Sequence, residues 1–273
     1  MIIDMHTHIY NEEMWGSYQK RMGKNKVQKV IVIPWCNNNI SDELDTDTLL
    51  QFTDKHPELF ALGSIDMDGD LKKQLVHYEN LLKKNKIVGI KLYPGYQHFY
   101  ASDKKVFPIA KLCEKYNKPL VFHSGDVYDK ECVAHLKYSH PIYMDELATE
   151  FPKTKIVISH FGFPYLLETA NILMKNQNVF SDISGTIEVD DSMTSPHHVK
   201  DMVRQYIEDL KRVFTWYPKV KQKVMFGTDY CGEDMRLNQV GPYMEVINKL
   251  FSSKERQHVY FDLAEKIYFS DES

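Results

Sequence analysis

Eight short apolar runs recur along this chain, and stretches of helical spacing separate them. That alternation restricts the fold more than any other feature. The runs cover residues 2–8, 29–34, 61–66, 87–94, 119–125, 155–162, 178–185 and 223–229. Each is too short for a buried helix and rich in β-branched residues, as expected of strands covered on both faces. The intervening segments predict helices over about 11–26, 42–56, 70–84, 102–112, 141–151, 164–175 and 197–215, with two more over 239–251 and 254–268. Ser41 or Asp42 is the expected cap of the second helix, and Leu71, Leu75, Tyr78 and Leu82 mark the buried stripe of the third. Strands alternating with helices imply a parallel sheet with crossover connections, and eight is the number that closes on itself. The expected fold is therefore an α/β, (β/α)8 TIM barrel, with a doubly wound open sheet as runner-up. The open sheet lacks its glycine-rich phosphate turn after the first strand.

Length agrees with one such unit. The chain has 273 residues, no linker-like composition shift, no repeat and no low-complexity tract, so residues 1–273 read as one domain. A net charge of -4 gives no basic footprint for nucleic acid. Cys36, Cys113, Cys132 and Cys231 are scattered without a CxxC pair, which predicts reduced, buried thiols. No signal-like leader or membrane-length apolar run is present, so the expected location is cytoplasmic, without a membrane partner. The expected partner is a small-molecule substrate, with a homodimer as candidate assembly.

Polar residues collect at the ends of these strands. The first ends in His6-Thr7-His8, preceded by Asp4. Alternation along a strand predicts that His6 and His8 project together, with Asp4 below them on the same face. An HxH pair alone is weak evidence, since exposed histidines near a terminus are common. However, Lys91 lies toward the C-terminal end of the fourth run, His123 of the fifth and His160 of the sixth, and Asp229 ends the eighth. In a barrel these ends meet at one mouth, where active sites lie. Imidazole and carboxylate groups converging there describe a hydrolytic metal centre, zinc above all.

As a set, these segments resemble the amidohydrolase superfamily, in particular the amidohydrolase-2 branch that includes aminocarboxymuconate-semialdehyde-decarboxylase-like proteins. The resemblance rests on the opening Asp4-Met5-His6-Thr7-His8, Gly89-Ile90-Lys91-Leu92-Tyr93-Pro94, Phe122-His123-Ser124-Gly125 and Ser159-His160-Phe161-Gly162, then on Asp182-Ile183-Ser184-Gly185 and Phe226-Gly227-Thr228-Asp229-Tyr230. It implies a distorted (β/α)8 barrel whose metal is held by His6, His8, His123 and Asp229. His160 would stand beside the water or substrate, or ligate a second ion. One divalent ion is expected, Zn2+ with Mn2+ as alternative; a second ion bridged by a carboxylated Lys91 is the less favoured form. An unmodified Lys91 suits a substrate carboxylate, and the bland alternative pairs it with Asp66 or Asp229.

The implied activity is a metal-dependent hydrolase that opens an amide, lactone or ester of a small carboxylated molecule. Zinc activates water by lowering its pKa toward ~7. Asp229 would accept the water's proton, and His160 would polarise the carbonyl. The same residues would serve a metal-dependent decarboxylase (carboxy-lyase), the runner-up, and an inactive binding barrel is the third reading. Tyr93 and Tyr230 are expected substrate contacts, with Tyr96 and Tyr128 also following strand ends. Trp35, Asn37, Asp126 and Ser184 are weaker candidates, and His197-His198 read as solvated residues opening a helix. Asp4 is expected in the barrel floor, orienting the neighbouring ligands.

Overall fold

The computed structural model describes residues 1–25, 27–35, 45–127, 133–188, 196–233 and 237–270. Eight parallel strands lie in chain order: β1 (Ile2–Thr7), β2 (Val27–Val32), β3 (Leu59–Ser64), β4 (Ile87–Leu92), β5 (Leu120–Phe122), β6 (Ile156–Ile158), β7 (Val179–Asp182) and β8 (Val224–Met225). Helices α1 (Glu12–Met22), α2 (Thr46–Thr53), α3 (Leu71–Lys83) and α4 (Phe107–Lys115) follow the first four strands. After them come α5 (Leu136–Ser139), α6 (Ile142–Glu150), α7 (Leu166–Lys175), α8 (Pro196–Trp216), α9 (Gly241–Leu250) and α10 (Ser253–Gln257). The TIM barrel expected from the strand count is the fold observed, and the open sheet is excluded by its closure. Met5 N–H donates to Phe226 O at 3.1 Å, Asp229 N–H to His6 O at 2.8 Å and His8 N–H to Tyr230 O at 2.8 Å, joining the last strand to the first.

Local chemistry fixes the helix ends. Asn11 accepts from Met14 N–H to open α1, and Asp70 accepts from Lys73 N–H to open α3. The cap of α2 is Asp45; Ser41 and Asp42, the caps expected from sequence, lie outside the described residues. Helix α4 starts five residues later than Ser102 suggests, because Pro108 is suited to a first helical turn. The segment after α10 continues to Phe269 in wider turns.

Two apolar layers result. The outer one joins the strands to the helices: Val30, Ile90, Leu120 and Ile158 pack with Tyr18, Leu82, Ile109 and Leu173. The inner one fills the barrel with Ile3, Met5, Ile31, Leu62, Val88, Val121, Val157 and Met225. Leu263, Ala264, Ile267 and Tyr268 of the C-terminal segment close the floor of that inner layer. These side chains alternate in and out along each strand, the ordinary barrel pattern.

One break in the alternation matters. Ile3 and Met5 face the interior, so Asp4 faces the wall, and a register irregularity between Asp4 and Thr7 changes the phase before His6 and His8. Asp4 is accordingly neither on the face of the histidines nor in the floor, as simple alternation implied. Its carboxylate accepts from Tyr18 Oη at 2.8 Å, Thr228 Oγ1 at 2.8 Å and Thr228 N–H at 3.1 Å. It ties β1 to α1 and to the end of β8, and reaches His6 only through the backbone N–H at 3.3 Å.

Candidate metal centre

The sixth and eighth strands end earlier than their apolar runs. After Ile158 the chain enters a tight turn, Ser159–Gly162, in which His160 and Phe161 take left-handed φ values of 61° and 47°. Asp229 likewise has φ 58°. Non-glycine residues in this region cost energy, and such strain collects at functional sites. Here it turns two side chains, which straight strands would carry past the mouth, back over it.

Asp229 is the centre of the arrangement. Its Oδ1 lies 3.3 Å from His6 Nε2 and 3.1 Å from His8 Nε2, while His160 Nδ1 is 4.0 Å from Oδ2. The other ring nitrogens are held from behind. His8 Nδ1 stands 2.8 Å from Ile33 O, and its ring stacks on Trp35 with centroids 4.1 Å apart. His6 Nδ1 is 3.4 Å from Asp182 Oδ2. Both contacts leave Nε2 of each ring turned toward Asp229, as metal-binding histidines require.

Asp182, marked in the sequence only as part of the Asp182-Ile183-Ser184-Gly185 segment, belongs to this arrangement. It is fully buried at the end of β7. Its Oδ1 accepts from Ser184 N–H at 2.9 Å and from His160 N–H at 3.2 Å, as well as from Ser184 Oγ. Ser184 Oγ in turn lies 3.1 Å from His160 Nδ1. One carboxylate thus orients His6 directly and fixes the strained turn that carries His160. Its signal in the sequence was only a polar residue closing an apolar run, which a structural hydrogen bond explains equally well. Packing here is tight: a Cβ on Gly185 (φ 72°) would fall 2.2 Å from His160 Nδ1 and 2.9 Å from Asp229 Oδ2.

The remaining candidates are placed unevenly. His123 stands beside His160, with ring centroids 5.1 Å apart, but its Nε2 lies 2.9 Å from Asp126 O, and it is outside the groups of ligand atoms that converge on Asp229. Among the described residues, the ligand atoms that converge within 4.8 Å come from two groups, His6–His160–Asp229 and His8–Asp229–Cys231. Cys231 belonged, from its spacing, only to a set of scattered thiols. Lys91 is fully buried and donates to Ser159 Oγ at 2.7 Å; Asp66, its suggested partner, is held instead by Gln97 Nε2 at 2.6 Å. Tyr93 lies under Lys91 Nζ, 5.2 Å from its ring centroid, and donates to Pro34 O at 2.8 Å. Tyr96 packs on His123 at 4.8 Å.

Tyr230 lies apart from the other expected site residues. Its buried ring packs on Tyr18 of α1 at 5.5 Å, in the outer layer, because it follows the inward-facing Asp229 and takes the opposite face. Asp126 offers its carbonyl rather than its exposed carboxylate. His198 lies in the first turn of α8. Asn37 and Tyr128 lie outside the described residues.

Electrostatics fit a cation. Burial lowers the pKa of His6 and His8, lowers that of His123 further, and brings His160 down to about 4, so the four rings are neutral at neutral pH. Burial works to raise Asp229 and Asp182, but imidazolium charge, present only in acid, and the hydrogen bonds from His8 to Asp229 and from His6 and Ser184 to Asp182 hold both carboxyls well below the usual carboxylate range. Among the described residues at the mouth, the two buried carboxylates of Asp182 and Asp229 then face one buried cation, Lys91, whose pKa burial lowers to about 8. Buried charge without compensation is costly, and a divalent ion among N and O donors would supply the missing positive charge.

Comparison with known proteins identifies the family and the fold. A family model described as "Amidohydrolase" matches residues 3–269. No curated protein matches at a significant level. Among solved structures, an uncharacterised TIM-barrel protein of Bordetella bronchiseptica superposes with TM-score 0.72 and 14% identity, covering 97% of both chains. A probable 2-pyrone-4,6-dicarboxylic acid hydrolase of Acinetobacter baumannii gives 0.65 and 13%, covering 98% of each chain. The 5-carboxyvanillate decarboxylase of Novosphingobium aromaticivorans, complexed with manganese, gives 0.62 and 14%, over 95% of this chain and 80% of that one. The barrel, the cation-ready mouth and a family match spanning nearly every residue lead to one conclusion: the chain belongs to the amidohydrolase family, in its amidohydrolase-2 branch.

Proposed function

We propose that this chain is a metal-dependent hydrolase acting on an amide, lactone or ester carbonyl of a small carboxylated molecule. The carrying observation is the single Asp229 oxygen shared by His6 Nε2 and His8 Nε2 in a pocket whose imidazoles are neutral. His6, His8 and Asp229 would hold the ion, zinc by preference, with His123 as the further imidazole after release of its Asp126 contact. A bound zinc ion supplies Lewis acidity that lowers the pKa of water toward ~7.

The chain's own groups do the rest. Asp229, ionised and buried, accepts the water's proton and returns it to the leaving group. His160, neutral above about pH 4, serves as a hydrogen-bonding group that polarises the carbonyl rather than as a standing acid. The Lys91 ammonium, over Tyr93 at the mouth, attracts the substrate carboxylate. That same feature favours a second reading, non-oxidative decarboxylation, because it would bring a carboxylate to the same pocket.

Elemental analysis of protein never exposed to chelator, joined to a substrate panel, tests the reading. About one divalent ion per chain is expected. So is ring opening of 2-pyrone-4,6-dicarboxylic acid or a related lactone, without release of carbon dioxide. Carbon dioxide from 5-carboxyvanillate or 2,6-dihydroxybenzoate would favour the second reading. Two ions with a carboxylated Lys91 would move the chain to the two-metal class, and an ion-loaded protein inert on every compound would favour a binding barrel. Protein that neither carries nor takes up an ion would overturn the proposal.

A further inference from the structure

Cys231 plays no part in the hydrolytic scheme, yet its sulfur sits in the same pocket. It is buried, and its Sγ falls within 4.8 Å of ligand atoms of both His8 and Asp229. Three constraints bring it there. The left-handed φ of 58° at Asp229 bends the chain at the barrel rim, so that Asp229 and Cys231 both return toward His8. His8 N–H donates to Tyr230 O at 2.8 Å, which fastens that bend to β1. Cys231 N–H donates to Leu237 O at 2.7 Å, which holds the far side of the turn. The thiol's hydrogen bond, to Asp229 O at 3.2 Å, is weak and readily exchanged.

The donor set is distinct from its neighbour. His6, His160 and Asp229 offer nitrogen and oxygen only, whereas His8, Asp229 and Cys231 offer one nitrogen, one oxygen and one sulfur. His8 Nδ1 is held by Ile33 O, so the atom presented is Nε2, 3.1 Å from Asp229 Oδ1. Sulfur selects softer ions than an all-oxygen or imidazole set does.

We propose that Cys231 is a metal ligand, forming with His8 and Asp229 a sulfur-containing position for a thiophilic divalent ion such as zinc or cobalt(II). Cys231 binds as the thiolate, its proton passing to solvent as the ion enters. The inference rests on the reading that this pocket takes a divalent ion, and it adds the sulfur.

The full-length chain, freed of metal and titrated with cobalt(II) under argon, is the test. A near-ultraviolet thiolate-to-cobalt absorption that grows with bound cobalt is expected in the wild type. It should vanish in Cys231→Ser and Cys231→Ala, and persist in Cys36→Ser, Cys113→Ser and Cys132→Ser. A loss of cobalt affinity of at least ~10-fold should accompany the Cys231 changes, since loss of a group that merely orients a ligand already costs ~10–100-fold. X-ray absorption of the zinc-loaded wild type needs no variant and should show a sulfur shell at about 2.3 Å. Cobalt bound without the absorption, its survival in the Cys231 variants, or a shell of nitrogen and oxygen alone would overturn the sulfur ligand while leaving the metal site standing. A wild type that takes up no cobalt or zinc would overturn both.

Discussion

The two ends of the barrel interior are built from the same strands and solve opposite problems. Toward the strand N-termini, Ile3, Val88, Val121 and Val157 pack against Leu263, Ala264, Ile267 and Tyr268, an apolar plug. Toward the C-termini, His6, His8, Lys91, Asp182, His160 and Asp229 are nearly as buried but polar or charged. Burial stabilises the first end, at roughly 25 cal/mol for each Å2 of apolar surface. At the second end burial is a penalty, offset by hydrogen bonds and, in the proposed holoenzyme, by an ion. Left-handed residues cluster there too, at His160, Phe161 and Asp229. The floor therefore carries stability, and the mouth spends part of it on preorganised chemistry.

Substitutions at the two ends should separate accordingly. His160→Asn is expected to have the largest effect on catalysis, lowering turnover by ~10²–10⁴. Asparagine tolerates the left-handed backbone at this position, so fold and ion content should hold. The measurement is turnover, metal content and melting temperature together. An ion content lower by about one would instead make His160 a ligand, and unchanged turnover with full metal would remove it from the chemistry.

Ile267→Ala, in the floor, is the converse. It should lower stability by about 2–5 kcal/mol through the cavity it leaves, while turnover per folded molecule stays near wild type. Denaturant unfolding alongside active-site titration checks it, and a selective loss of turnover would blur the division between the ends.

Asp182→Asn asks whether the mouth depends on its supports. Keeping the Oδ1 contacts to Ser184 and His160 but losing the carboxylate charge that faces His6 Nδ1 should weaken ion binding by ~10–100-fold. Competition with a chelator gives that number, and undiminished affinity would make Asp182 a structural brace only.

The smallest expected effect is a pH dependence at Lys91. Burial brings its pKa down to about 8, so the ammonium is complete below that pH and lost above it. Attraction for a substrate carboxylate should weaken as pH rises through about 8, raising KM by at most tenfold per pH unit. Lys91→Met should raise KM at low pH and flatten the profile. A wild-type KM constant from pH 7 to 9 would remove Lys91 from substrate binding.

How much of this was legible beforehand follows from which rule each residue obeys. The barrel was readable because eight doubly covered strands leave continuous apolar runs, and each run marks a strand whatever its neighbours do. His6, His8, Lys91, His160 and Asp229 were readable as mouth residues because they lie toward the C-terminal ends of such runs. Their neighbours were not. Asp4 defied alternation because a register irregularity at β1 moved it to the wall. Tyr230, expected as a substrate contact, packs on Tyr18 in the outer layer because it takes the face opposite Asp229. His123 occupies the expected strand end, but its ring direction depends on a carbonyl three residues away in a loop.

The sequence by itself determined the fold class, since period and length of apolar segments are local properties of the chain. It also determined that imidazoles and a carboxylate gather at one end, since strand direction is shared by every strand of a parallel barrel. Only the tertiary structure decided which atoms face one another. Asp182 joins His6 across 176 residues of chain, and His160 reaches over Asp229 through a turn of left-handed backbone. Such contacts depend on distances between strands and on φ at single residues. Neither leaves a periodic trace in the sequence, because the energy that fixes them comes from packing around the whole barrel.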